Sequence, residues 1–152
     1  MDVCMVYYSR AVNVSCYDTF AKDLKQIRDV SQKKNEIQGI TGFLIYDEGY
    51  FSQVLEGQFS SVSNIFSSIE NNKMHDNIEI LSFTSIKNRK FSAWSMYDSM
   101  SDIIDKKHVV DLRMQFLRNH KNLFMPSGPI FRDLIYSIAQ EAGSNRSVAQ
   151  AI

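Results

Sequence analysis

The chain has 152 residues, 44% of them hydrophobic, and its 17 acidic side chains balance 17 basic ones. That is one domain's worth of sequence, and a chain of this size buries about 68–70% of its unfolded surface, so a substantial core is expected. With no basic excess, and with the basic run "KNRK" at 87–90 too short to track a phosphate backbone, the composition argues against a nucleic-acid partner.

No apolar stretch approaches membrane-spanning length, and the opening "MDVCMVYY" lacks the charged start and cleavage site of a signal peptide. A cytoplasmic protein with no membrane partner is therefore expected. Cys4 and Cys16 are too few for a disulfide framework and read as reduced thiols. His75, His108 and His120 have no ligand spacing with one another or with the cysteines, so no metal site is expected.

Residues 3–9, "VCMVYYS", are rich in β-formers and predict a first strand with Cys4, Val6 and Tyr8 on one face. From about Tyr17 to Lys34 the period changes to that of a helix, with Phe20, Leu24, Ile27 and Ser31 on one side and an end near Asn35. "TGFLIYDEGYFSQVLEG" follows, two apolar runs on either side of "DEG", which predicts a β-hairpin turning at Gly49. Val62, Ile65, Phe66 and Ile69 mark a second amphipathic helix. "NIEILSFTSI" and "AWSMYDSM" are fourth and fifth strands, the latter with Trp94 and Met96 on the same face.

The order βαββαββ predicts an α+β fold, a ferredoxin-like five-stranded mixed sheet with two helices on one face. Residues 1–100 form this unit and 101–152 a C-terminal helical extension of two helices. Val109, Leu112, Phe116 and Leu117 mark the first. Ile130, Phe131, Leu134, Ile135, Ile138 and Ala142 mark the second, with Pro129 in its first turn and Gly143 at its end. The extension is expected to cover the open face of the sheet, with a partner or dimer interface as the alternative.

One polar residue stands out in the third strand. Alternation puts Gln53 on the apolar face with Phe51 and Leu55, where a buried amide without partners costs about 1–3 kcal/mol. Tyr8 and Asn35 are placed on or near the same helix-covered side, and Ile27, Ser31 and Asn35 share a helix face opposite Ile69. An apolar slot with an Asn, a Gln and a Tyr converging on it suits a flat heteroaromatic ligand with carbonyls and ring nitrogens along one edge. A Tyr–Gln hydrogen bond that only satisfies the core would leave the same pattern.

The chain also resembles the BLUF family of flavin-binding blue-light photoreceptors. The likeness lies in "VYYSR" at 6–10, "NEIQGITGFLIYDEGYFSQVLEG" at 35–57 and "IKNRKFSAWSM" at 86–96, and it runs over about residues 3–97. The resemblance implies a non-covalent flavin, FAD or alternatively FMN, between the two helices and flanked by Ile27 and Ile69, with Ser31 on the same wall. It implies that Asn35 pairs with the ring's carbonyl and N3–H edge. Tyr8 would donate an electron and then a proton, and Gln53 would bridge it to the flavin and rearrange. Trp94 and Met96 would carry the change outward, to a separate downstream protein or to a second copy of the chain in a homo-oligomer.

Lys34, Ser68 and "NNKMH" at 71–75 depart from the family pattern, which leaves the phosphate contacts open, and His75 is expected to be structural. The resemblance implies a photoreceptor and not an enzyme. A non-photoactive flavin-binding or oligomerisation module on the same fold is the alternative. A small hydrolase of acylphosphatase type shares the sheet order, and Arg10 follows the first strand suitably, but "SRAVNVSCY" at 9–17 lacks a glycine-rich phosphate cradle.

Overall fold

In the computed structural model, which describes residues 1–102, 107–120 and 128–151, nine elements follow one another along the chain. They are β1 (Asp2–Ala11), α1 (Tyr17–Ile37), β2 (Thr41–Asp47), β3 (Tyr50–Gln58), α2 (Phe59–Glu70), β4 (His75–Ile86), β5 (Trp94–Asp98), α3 (Lys107–His120) and α4 (Gly128–Ala151). The strands lie in the order β4-β1-β3-β2-β5. Neighbours are antiparallel except β2 and β5, which run parallel, so the sheet is mixed and the expected ferredoxin-like α+β arrangement is present.

Local chemistry explains the turns. Glu48 and Gly49 both have positive φ, 42° and 92°, the signature of a two-residue type I′ hairpin whose twist matches that of its strands. Helix α1 runs two residues past Asn35 and is stopped at Gly39, whose φ of +67° is the left-handed conformation that glycine adopts without strain. The amide of Ile40 then bonds the carbonyl of Asn35 at 2.8 Å, fixing that residue where the helix meets the sheet. At Gly42 an added Cβ would lie 1.9 Å from the Val54 carbonyl oxygen, so only glycine lets β2 approach β3 beside Trp94, its partner in β5.

The sheet is buried on both faces. On one, Met5, Tyr7, Leu44 and Leu55 pack with Phe20 and Leu24 of α1 and Val62 and Ile65 of α2. On the other, Cys4, Val6, Phe43, Val54 and Tyr97 pack with residues of α3 and α4. Phe131, Ile135 and Ile138 of α4 are wholly buried there, and at about 1.5–3 kcal/mol per side chain they are enough to hold the helix on the sheet before ordering costs.

Two details of the extension differ from expectation. Ile130 is 44% exposed and stands off the buried stripe, and α4 continues through Gly143, which is exposed and has nothing within 4 Å of a built Cβ. A glycine costs a helix interior only about 1 kcal/mol, less than the burial of Phe131, Ile135 and Ile138 before it returns. The side chains of Phe116 and Leu117 lie outside the described residues.

Candidate functional site

A cleft of about 410 Å³ opens between α1 and α2 above the sheet. Ile27 and Val30 of α1 face Ile65 and Ile69 of α2 across it, and Ser31, Lys34 and Asn35 continue the α1 wall. The floor is made by the sheet, with Tyr7, Leu44, Phe51 and Gln53. The sequence-predicted residues Ile27, Ser31, Asn35, Gln53 and Ile69 are therefore brought together.

Tyr8 is not. In the β1–β3 ladder Tyr7 is directly opposite Gln53, and Tyr8 is opposite Ser52. Cross-strand partners share a face, so Tyr7 joins Gln53 beneath the cleft and Tyr8 points to the α3 and α4 side. There its hydroxyl donates to Glu79 Oε2 at 2.5 Å and its ring joins the second core. The placement of Tyr8 beside Gln53 is thus corrected: the tyrosine at this position is Tyr7. Cys4, Val6 and Tyr8 do share a face, but it is the opposite one.

Tyr7, Gln53 and Trp94 form a buried chain. The Gln53 Nε2 donates to the Tyr7 hydroxyl oxygen at 2.6 Å, and the Trp94 indole Nε1–H donates to Gln53 Oε1 at 2.9 Å. All three are at most 4% exposed. An indole N–H only donates, so its bond settles which end of the amide is the oxygen. Because Gln53 donates to the phenol oxygen, the Tyr7 O–H proton is available to a further acceptor. Burial pushes the Tyr7 hydroxyl well above the ordinary phenol value, outweighing the Gln53 bond that draws it down, so the phenol keeps its proton. Met96 is also buried on this face, in the same core as Trp94.

Asn35 is 2% exposed, and its Oδ1 has no hydrogen-bond partner. A buried amide oxygen with no donor costs about 1–3 kcal/mol, and here it borders an apolar cleft. A ligand with a ring N–H at its edge would relieve it. The residues present therefore fit a flavin: aliphatic side chains on two walls for a flat ring, an unsatisfied acceptor at Asn35, and the Tyr7–Gln53 pair beneath.

His75 also borders the cleft. Its Nδ1 pairs with Ser9 Oγ and its Nε2 with the Ile69 carbonyl, both at 2.6 Å. A carbonyl only accepts, so Nε2 carries the proton, and the ring ties β1 and α2 together from the base of β4.

Three comparisons agree with this geometry. The family profile described as "BLUF: Sensors of blue-light using FAD" matches residues 3–97. A photoactivated adenylate cyclase subunit beta from Euglena gracilis is 27% identical over 101 residues, 66% of this chain but only 11% of that protein. Among solved structures, "BlsA photo-activated state" has a TM-score of 0.68 at 27% identity and covers 90% of this chain and 95% of its own. The dark-state structure of BlrB, a BLUF protein, has a TM-score of 0.68 at 24% identity, with 99% and 97% covered, a likeness of fold.

Proposed function

This chain belongs to the BLUF family of blue-light sensors, and from that premise we propose that it binds FAD non-covalently in the α1–α2 cleft and switches through Tyr7, Gln53 and Trp94. The observation that carries the reading is the buried amide of Gln53 held between a phenol and an indole beneath a cleft bordered by an unsatisfied Asn35 oxygen.

A bound flavin supplies the absorption of blue light and, once excited, the demand for an electron. The chain's own residues do the rest. Ile27, Ile65 and Ile69 hold the ring and exclude water, and Asn35 orients it by accepting at its edge. Tyr7 has a phenol that can release an electron and its hydroxyl proton and take both back.

Gln53 is the bistable part. Turned by half a rotation, its oxygen would accept from the Tyr7 hydroxyl, but its NH₂ would then face the Trp94 indole, donor against donor. Rotation of the amide therefore expels Trp94 or forces it to another partner. The change is written into β5 without a backbone rearrangement at the amide itself, a population shift between two hydrogen-bond patterns. We place the output in the extension, residues 101–152, whose helices cover the other face of the sheet.

The unpaired Cys4 and Cys16 suit a reducing cytoplasm, and among the described residues no helix is long and apolar enough to cross a membrane. The effector is a separate protein or a second copy of the chain. The cyclase activity in the name of the Euglena relative belongs to a protein of which this chain spans 11%.

The test is to purify the protein with its cofactor, identify the flavin by chromatography, and record spectra before and after blue light. A yellow protein with a reversible red shift supports the reading. Bound flavin with no response to light would favour the non-photoactive module instead.

A further inference from the structure

Behind the photosensitive face lies a buried carboxylate that the switch does not use. Glu56 stands three residues after Gln53 on β3, on the opposite face, and is 0% exposed. Its Oε1 accepts from Thr41 Oγ1 at 3.0 Å and from the amide of Phe91 at 3.0 Å. Its Oε2 accepts from the amide of Lys90 at 2.8 Å and from Arg132 Nη2 of α4. A carboxylate offers about four acceptor positions, so this one is full.

The four donors come from β2, from the β4–β5 turn and from α4. The same turn is fastened to α4 a second time. Lys90 Nζ pairs with Asp133 and lies 5.0 Å from the centre of the Tyr136 ring, and Phe91 meets Tyr136 edge-on at 5.5 Å. Three residues after Phe91 the chain reaches Trp94.

Arg132 engages Glu56 through Nη2 only, which also donates to the Asn88 carbonyl of the same turn at 3.3 Å, and its Nε is buried with no partner. An arginine–carboxylate pair is strongest when two nitrogens meet two oxygens, and a buried N–H left unpaired is costly. Both facts favour a bidentate arrangement, which the two turn amides block by occupying the oxygens.

We infer that Glu56 is a positioning residue at which the β4–β5 turn and Arg132 of α4 compete for one carboxylate, so that movement of Trp94 is converted into movement of α4. The inference rests on the photoreceptor reading above. When the Gln53 amide turns and Trp94 leaves it, the turn loosens and gives up an oxygen. Arg132 then takes it with its second nitrogen and draws α4 tighter onto the sheet. At the carboxylate the sign follows from the count of acceptors: a position the turn gives up is one that Arg132 gains.

Arg132→Lys tests this. A lysine preserves the charge and one contact but has no second nitrogen in a fixed fork, so it cannot become bidentate. In the flavin-loaded wild type, illumination should slow amide exchange in residues 131–142, and in Arg132→Lys that slowing should be lost while the flavin's red shift is kept. A merely structural ion pair would be rescued by lysine, and the variant would then keep the wild-type light–dark difference, which overturns the inference. Glu56→Gln adds a second reading, because in either orientation its NH₂ opposes one of the turn's two backbone donors, Lys90 N–H or Phe91 N–H. The emission of Trp94, the sole tryptophan, should then differ from wild type already in the dark, and an unchanged emission counts against the proposal. A wild type that shifts its spectrum with no change in α4 exchange overturns the proposal alone, whereas a wild type with no shift overturns the photoreceptor reading beneath it.

Discussion

The side-chain oxygen of Gln53 accepts the indole N–H of Trp94 at 2.9 Å, and that bond admits only one orientation of the amide. Trp94→Phe removes the constraint while keeping an aromatic ring in the core. The variant should bind flavin, and its photoproduct should decay at a rate different from that of wild type because no donor remains to favour the dark orientation. Absorbance recovery after a light pulse measures it, and an identical rate would separate Trp94 from the switch.

Gln53→Leu leaves the Trp94 N–H buried without its acceptor and removes the donor from the Tyr7 hydroxyl, at about 1–3 kcal/mol for each abandoned group. The protein should unfold at lower urea concentration, still hold flavin in the aliphatic cleft, and show no light-induced shift. Urea titration and a light-minus-dark spectrum check the two halves separately.

How much of this was legible in the sequence depended on whether a strand's own residues break its apolar run, since β1 and β3 are both buried on two faces but only β3 interleaves polar side chains. The hairpin turning at Glu48–Gly49, the helical spacing through Ile27 and Ser31, and the burial of Gln53 with Phe51 and Leu55 follow from local periodicity and turn chemistry. β1 is buried on both faces, so "VCMVYYS" runs apolar throughout and offers adjacent tyrosines with no alternation to choose between them. The choice is made by the register of β1 against β3, which puts Tyr7 opposite Gln53 and joins residues 46 positions apart. No local pattern encodes such a pairing. The Glu56 network was hidden for the same reason, since its donors come from residues 41, 90, 91 and 132.

Asn35→Leu replaces an amide whose oxygen lacks a partner with an apolar group of similar size. Flavin-free protein should be as stable as wild type or slightly more so, because an unsatisfied acceptor disappears. Flavin affinity should fall by roughly tenfold, corresponding to about 1.4 kcal/mol for one lost hydrogen bond. Calorimetric titration of the flavin-free protein with FAD measures the second effect and thermal melting the first.

Stability should also fall in alkali. Burial raises the Cys4 thiol from 9.0 to about 11 and the Tyr97 hydroxyl from 10.0 to about 12, and it raises Tyr7 from 10.0 as well. In each case the folded chain keeps a proton that the unfolded chain loses first. The contribution is therefore complete below pH 9 and is lost as pH rises from about 9 to 12. Urea midpoints should be flat with respect to these groups below pH 9 and decline above it, and Cys4→Ala should move the onset of the decline upward.

The most direct measurement compares Tyr7→Phe with Tyr8→Phe, each loaded with flavin and illuminated. Both should be yellow, because the cleft walls are intact. Tyr8→Phe should keep a reversible red shift, since its hydroxyl serves Glu79 on the far face, and Tyr7→Phe should have none. A normal shift in Tyr7→Phe, or its loss only in Tyr8→Phe, would contradict the account.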